Sequence, residues 1–235
     1  MPRKIINVFG CSQSYGIPEY TLPDNLGFGN WVYWLSVWNP DITFNNYSMQ
    51  GTSLTYSCHL YDEFHNQADL NIIQMTGPHR MTYYTPLLDP FEVPLLPITS
   101  NYKKMDIDWF RRNFITYTHH VENMSKNLNQ DADFHPTWAE FAKEYYEVKP
   151  REHGLIEHIA LMHRYGTKAD LSFSHAKFLK FHYTEFHELV PSIILDLTNE
   201  EYENYKCDTL GHFGEEGHKY MARWVAKRLN LAFSE

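Results

Sequence analysis

Ile5-Ile6-Asn7-Val8-Phe9-Gly10-Cys11-Ser12-Gln13-Ser14-Tyr15-Gly16 is the stretch that decides the fold. Its first residues make a short, β-rich apolar run stopped by a glycine, the pattern of a buried strand in an α/β sheet. Gly10 permits a tight bend, and Ser12 then stands at the carboxyl end of that strand, where open α/β sheets place their ligands. A helix opening beyond the turn presents its N–H groups to the serine oxygen. That geometry supports a nucleophile, because backbone donors stabilise the oxyanion its attack creates. A helix cap gives the same letters, so the motif acquires meaning from what accompanies it.

Outward from this stretch, residues 70–75 and 192–197 repeat the short apolar character, and 42–44 does so more weakly. Helical patterning lies between them. Trp31, Trp34, Leu35 and Trp38 recur at helical spacing before Pro40. Thr52 or Ser53 caps a helix carrying Leu54, Cys58, Tyr61 and Phe64. Over 215–231, Tyr220, Met221, Trp224, Val225 and Leu229 share one broad face. Strands alternating with helices predict an α/β fold, a three-layer α/β/α sandwich with a mainly parallel sheet. Residues 76–97 hold five prolines and read as a loop, whereas 106–129, 137–148, 152–165 and 169–181 read as helical. The expectation is one domain over residues 1–235, with 76–188 a Pro-rich and mostly helical insertion or lid. An independent all-α domain is the alternative.

A chain of 235 residues buries about 70–75% of its extended surface and needs no staples to hold a core. Lysine and arginine number 20 against 29 aspartates and glutamates, a net charge of −9 that excludes an electrostatic case for nucleic acid or anionic membrane. Fourteen histidines make this balance pH-sensitive. Cys11, Cys58 and Cys207 form no CxxC pair, and the first residues lack a signal-peptide pattern. No apolar run is long enough to span a bilayer. A cytoplasmic protein is expected, with no nucleic-acid or membrane partner. No metal is expected either: His153, His158 and His163 are spaced five apart, which does not put them on one helix face, and HExxH is absent.

A second signal precedes the last helix: Asp208-Thr209-Leu210-Gly211-His212-Phe213-Gly214-Glu215-Glu216-Gly217-His218. A histidine in a loop there suits a general base, with a carboxylate fixing its tautomer. With Gly10-Cys11-Ser12-Gln13-Ser14-Tyr15-Gly16 at the other end, the chain resembles the SGNH (GDSL-type) hydrolases. The segment from Asn46 through Gly51-Thr52-Ser53 is similar to that family's second block. His212 through Gly217-His218-Lys219-Tyr220 is similar to its last. The resemblance implies a flavodoxin-like sheet, Ser12 as nucleophile, His212 as base and Asp208 as orienting acid. It implies an oxyanion hole from the backbone N–H groups of Ser12 and Gly51, and no cofactor.

The departures from that family are specific. Cys11 stands where the family has Asp, and Asp208 lies four residues before His212 rather than three. The block that supplies a side-chain amide reads Gln74-Met75-Thr76-Gly77-Pro78-His79-Arg80. Either His79 replaces that amide or the hole has two backbone donors. Arg80, Tyr83 and Tyr84 are candidate substrate contacts, and Phe91, Tyr102 and Trp109 candidate pocket aromatics. The implied reaction is hydrolysis of a small-molecule or carbohydrate ester, such as an O-acetyl or short acyl ester, through an acyl-enzyme. An acyltransferase, a non-catalytic binding or structural module, and an enzyme built on the Cys11 thiol are the rival readings.

Overall fold

The alternation along the first strand sets the layers. Ile6 and Val8 point into one apolar cluster, with Trp31, Leu35, Phe44, Ile72, Phe173 and Val225. Phe9 points into the other, with Tyr47, Leu54, Leu60, Ile73 and Met105. A strand buried on both faces needs a covering layer on each side. The structure, a computed structural model, describes residues 3–16, 29–76, 80–84, 93–118, 160–162, 164–174, 193–194, 199–205 and 212–234.

The strands are β1 (Lys4–Phe9), β2 (Ile42–Asn46), β3 (Leu70–Gln74), β4 (Arg80–Tyr84), β5 (Leu95–Pro97), β6 (Tyr102–Met105), β7 (Phe114–Thr118), β8 (Leu171–Ser174) and β9 (Ile193–Ile194). The helices are α1 (Ser12–Tyr15), α2 (Trp31–Trp38), α3 (Leu54–Phe64), α4 (Ile107–Asn113), α5 (Asn199–Tyr205) and α6 (Glu215–Leu229). Seven strands form one sheet in the order β5-β6-β2-β1-β3-β8-β9. Only β5 runs antiparallel to its neighbour; every other pair is parallel. The register sets Ile6 beside Phe44 on one side and Val8 beside Ile72 on the other. The run β2-β1-β3-β8-β9 has the doubly wound, flavodoxin-like order, and its switch point lies between β1 and β3.

Helices α2 and α6 cover the face carrying Ile6 and Val8, while α3 and α4 cover the face carrying Phe9. The fold is therefore a three-layer α/β/α sandwich. Local chemistry fixes the helix ends. Asn30 accepts from Tyr33 N–H at 2.8 Å and Ser53 from Tyr56 N–H at 3.3 Å, each satisfying a donor the helix leaves open. Asn39, just past α2, clasps Ala232 just past α6 through two reciprocal bonds of 2.9 Å. On α2 the buried set is Trp31, Val32, Leu35 and Ser36, so the inward stripe is rotated from the tryptophan spacing. Trp34 and Trp38 flank it, partly buried, with their rings 6.2 Å apart.

The segment read as a mostly helical insertion supplies β5, β6 and β8 to the central sheet. Residues 171–174 were expected to be helical. They instead pair with β3, and Asp170 accepts from Asn71 N–H at 2.7 Å to start the register. The run Leu171-Ser172-Phe173-Ser174 alternates apolar and polar, and that period of two outweighs the helical neighbours. The helix expected over 106–129 stops at Asn113 and turns into β7. Phe114-Ile115-Thr116-Tyr117-Thr118 is wholly aromatic and β-branched, which favours a strand. It pairs antiparallel with β4 as a separate two-stranded ribbon, so residues 80–84 are not loop. Of the helix expected over 152–165, residues 160–162 and 164–165 are helical; 137–148 lies outside the described residues. Among the described residues no helix is long and apolar enough to cross a membrane.

Candidate active site

Strand β1 ends at Phe9, the chain bends at Gly10, and Cys11 in extended conformation opens α1 with Ser12 as its first residue. A Cβ on Gly10 would lie 2.8 Å from Ser14 Oγ and 3.0 Å from Gln74 Oε1, so the turn is closed to any larger residue. Gln74, at the end of β3 and fully buried, organises this corner. Its Oε1 accepts from Cys11 N–H at 3.3 Å, from the Cys11 thiol at 3.3 Å and from Ser14 Oγ at 3.1 Å.

A four-residue helix has little stability of its own. Side chains from the surrounding elements hold α1 by its carbonyls. Asn46 Nδ2 donates to Ser14 O at 2.7 Å, Asn30 Nδ2 to Tyr15 O at 2.9 Å, and Gln50 Nε2 to Gly16 O at 3.0 Å. Trp31 Nε1 donates to Ser14 Oγ at 3.0 Å. Behind them Tyr102 OH accepts from Asn30 and Asn46 at 3.1 and 3.0 Å. Burial pushes the Tyr102 hydroxyl up to about 12, against the lowering effect of those two bonds. Tyr102 is thus a fully buried strut, which corrects its reading as a pocket-lining aromatic.

The loop after β2 is strapped to the same corner. Gly10 O accepts from Met49 N–H at 3.3 Å and from Thr52 Oγ1 at 3.2 Å. Within this loop Gly51 has φ 74°, a conformation side chains resist. Among the described residues, neither Ser12 N–H nor Gly51 N–H has an intramolecular acceptor.

The second signal of the sequence arrives from the opposite end of the chain. His212 Nε2 lies 2.9 Å from Ser12 Oγ, a contact between residues 200 positions apart. Phe213 N–H donates to Gln13 Oε1 at 3.2 Å, which fastens the histidine loop to α1. The Phe213 ring is fully buried, and Gly214 N–H donates to Tyr205 O at 2.8 Å, anchoring the loop on its far side. Ser12 itself is nearly buried, whereas His212 is partly exposed. Cys11 and Ser12 point apart. The thiol faces Gln74 and the hydroxyl faces His212, so it is the serine and not the cysteine that meets the histidine.

Asp208 and His79 lie outside the described residues. Arg80, Tyr83 and Tyr84 lie on β4, where only the strand's backbone is described. No group of histidine, cysteine or acidic side chains among the described residues is arranged to hold a metal ion. Sequence reasoning missed Asn30 and Lys104, and it quoted Gln74, Asn46 and His218 within motifs without the contacts the structure gives them. Gln74 and Asn46 carried a weak signal, since amide side chains at strand ends beside a glycine turn are apt to close it.

His218, on the first turn of α6, is buried, and its Nδ1 has no hydrogen-bond partner among the described residues. Burial pushes its imidazole down to about 3, and the nearby His212 acts in the same direction. The unfolded chain takes up this proton below about pH 6.5, and the folded chain does not until about pH 3. Its contribution to stability is therefore complete above pH 6.5 and is lost on acidification through that window, by up to about 1.4 kcal/mol per pH unit. Thermal melts at pH 7 and pH 5 check this. The melting temperature of the wild type is expected to fall by several degrees more than that of His218→Phe. Equal falls would assign the acid sensitivity elsewhere.

Together the parallel sheet, the serine at its switch-point end and the histidine 2.9 Å from it define an α/β/α protein with a paired serine and histidine at the carboxyl edge of the sheet. No protein-family model and no curated protein matches the chain. Among solved structures it is similar to a member of the lipolytic protein G-D-S-L family from Veillonella parvula DSM 2008. That likeness has a TM-score of 0.41 and 12% identity, over 95% of this chain and 97% of that one. The functional reading rests instead on the geometry of the corner built by β1, α1 and the loop before α6.

Proposed function

We propose that this protein is a serine hydrolase acting on esters. The observation that carries the reading is the 2.9 Å contact between Ser12 Oγ and His212 Nε2. In this mechanism Ser12 Oγ attacks the ester carbonyl carbon while His212 Nε2 takes the hydroxyl proton. The carbonyl oxygen becomes an oxyanion. The Ser12 and Gly51 N–H groups, which have no acceptor among the described residues, are the donors available to it. Collapse breaks the bond to the alcohol oxygen, which leaves with the proton from His212. Water then attacks the acyl-serine, giving its proton to His212 and releasing the acid, and the proton returns to Ser12 Oγ. Asp208 is the proposed orienting acid and His79 a proposed third donor, with Arg80, Tyr83 and Tyr84 contacting substrate. O-acetyl and short acyl esters, including those of carbohydrates, are the first substrates to try.

The test is intact-mass measurement and peptide mapping after exposure to a fluorophosphonate. One stoichiometric adduct on Ser12 is expected, absent from folded His212→Ala protein. Folded wild type that takes no adduct, or takes it on another residue, would overturn the reading. Adding an alcohol acceptor during ester turnover separates hydrolysis from acyl transfer by the product formed.

A further inference from the structure

Lys104 is the buried group that the mechanism leaves unused. Parallel registry places it in a cross-strand row with Asn46 of β2 and Val8 of β1, on the carboxyl-terminal side of the sheet where Ser12 lies. Strands sit about 4.8 Å apart, so β6, two positions from β1, brings the Lys104 backbone within about 10 Å of the strand that leads into the Ser12 turn. The residue is 7% exposed. Its ammonium lies 3.4 Å from the centre of the Tyr15 ring, one helical turn after Ser12 on α1.

Among the described residues, no carboxylate and no hydrogen-bond acceptor partners Lys104 Nζ; the ring is its only charge-stabilising contact. A lone buried cation is costly unless something completes it. Burial pushes this amine down to about 7. A surface lysine or an apolar side chain would fill a merely structural role at less expense. The neighbouring groups are polar and already satisfied: Asn46 Nδ2 and Asn30 Nδ2 are both committed to α1 and to Tyr102. They leave the amine as the group open to a ligand.

We propose that Lys104 Nζ binds an anionic group of the substrate, so that the ester taken by this site carries a single negative charge such as a carboxylate. The proposal rests on the hydrolase reading of Ser12 and His212. A singly charged group is favoured because one ammonium neutralises it; a phosphate dianion would leave buried charge uncompensated. The Tyr15 ring, 3.4 Å from the amine, holds it in place for that ligand.

The experiment has two arms. In the first, kcat/KM is measured for p-nitrophenyl hemi-esters of succinate, adipate and suberate against neutral alkanoyl esters of equal length. The wild type is expected to prefer at least one charged ester by tenfold or more. Lys104→Met and Lys104→Gln, checked for folding by circular dichroism, are expected to lose that preference. A packing role would lower both rates in proportion and leave the ratio unchanged. In the second arm, binding of the corresponding monomethyl dicarboxylates to Ser12→Ala protein is followed by calorimetry. Binding at least tenfold weaker when Lys104→Met is added supports the assignment. Lys104-dependent binding with no turnover of any ester leaves the assignment standing and overturns the hydrolase reading. Unchanged ratios, or binding absent or indifferent to Lys104, overturn the assignment.

Discussion

Ser12→Ala is expected to lower kcat for any ester this site turns over by a factor on the order of 10⁵ to 10⁶, leaving KM within a few-fold. Removing the hydroxyl deletes the bond-forming atom while sparing the donors that bind the carbonyl oxygen. Replacement of His212 by alanine is expected to be as damaging. The serine then has no base at 2.9 Å to take its proton. The double variant should be no worse than either single one, because the two groups act as a unit. Initial rates on purified variants, with the active-site concentration fixed by titration, provide the check. A Ser12→Ala protein keeping more than about 1% of wild-type kcat would show that the reaction does not pass through this serine.

Gly10→Ala should cripple the protein without touching any reacting atom. The added methyl would meet Ser14 Oγ at 2.8 Å, Gln74 Oε1 at 3.0 Å and Gln74 Cβ at 3.1 Å. Neither neighbour has room to yield: both are fully buried, and they bond to each other. Overpacking of this kind costs about 1–3 kcal/mol. Pushing Gln74 aside also endangers its bond to the buried Cys11 N–H, worth about 1–3 kcal/mol if left unmade. A total near 4 kcal/mol lowers the melting temperature of a chain this size by roughly 8–16 °C. Because the displaced groups position α1, activity at a permissive temperature should fall by about a hundredfold as well. Gln74→Leu separates the two effects. It frees space for the turn yet orphans Cys11 N–H, so it should destabilise without shifting Ser12 as far. Wild-type stability in Gly10→Ala would mean the corner relaxes more readily than its packing implies.

What was legible in the sequence was whatever is written locally. The strand at 5–9, the glycine turn, Ser12 and the amphipathic helix after His212 each carry their pattern within a dozen residues. The structure puts them where the alternation of strands and helices implied. Gln74, Asn30, Asn46 and Tyr102 were not readable as a network, because each is defined by a partner 15 to 72 residues away. Strands β6 and β8 have only four residues each and sit among helical neighbours, too short for periodicity to stand out. Lys104 reads from sequence as one of two adjacent surface lysines; only the pleat of β6 turns Lys103 outward and Lys104 in.

The 200-residue separation of Ser12 and His212 has a consequence for biosynthesis. Contacts between distant segments are the slowest to form, since the loop they close must first be gathered. Strand β1 and α1 leave the ribosome well before the histidine, Phe213 and α6. A nascent chain therefore holds Ser12 apart from His212 until α6 docks against α2. On the proposed mechanism, reactivity toward a fluorophosphonate would report the moment at which these two distant segments have met.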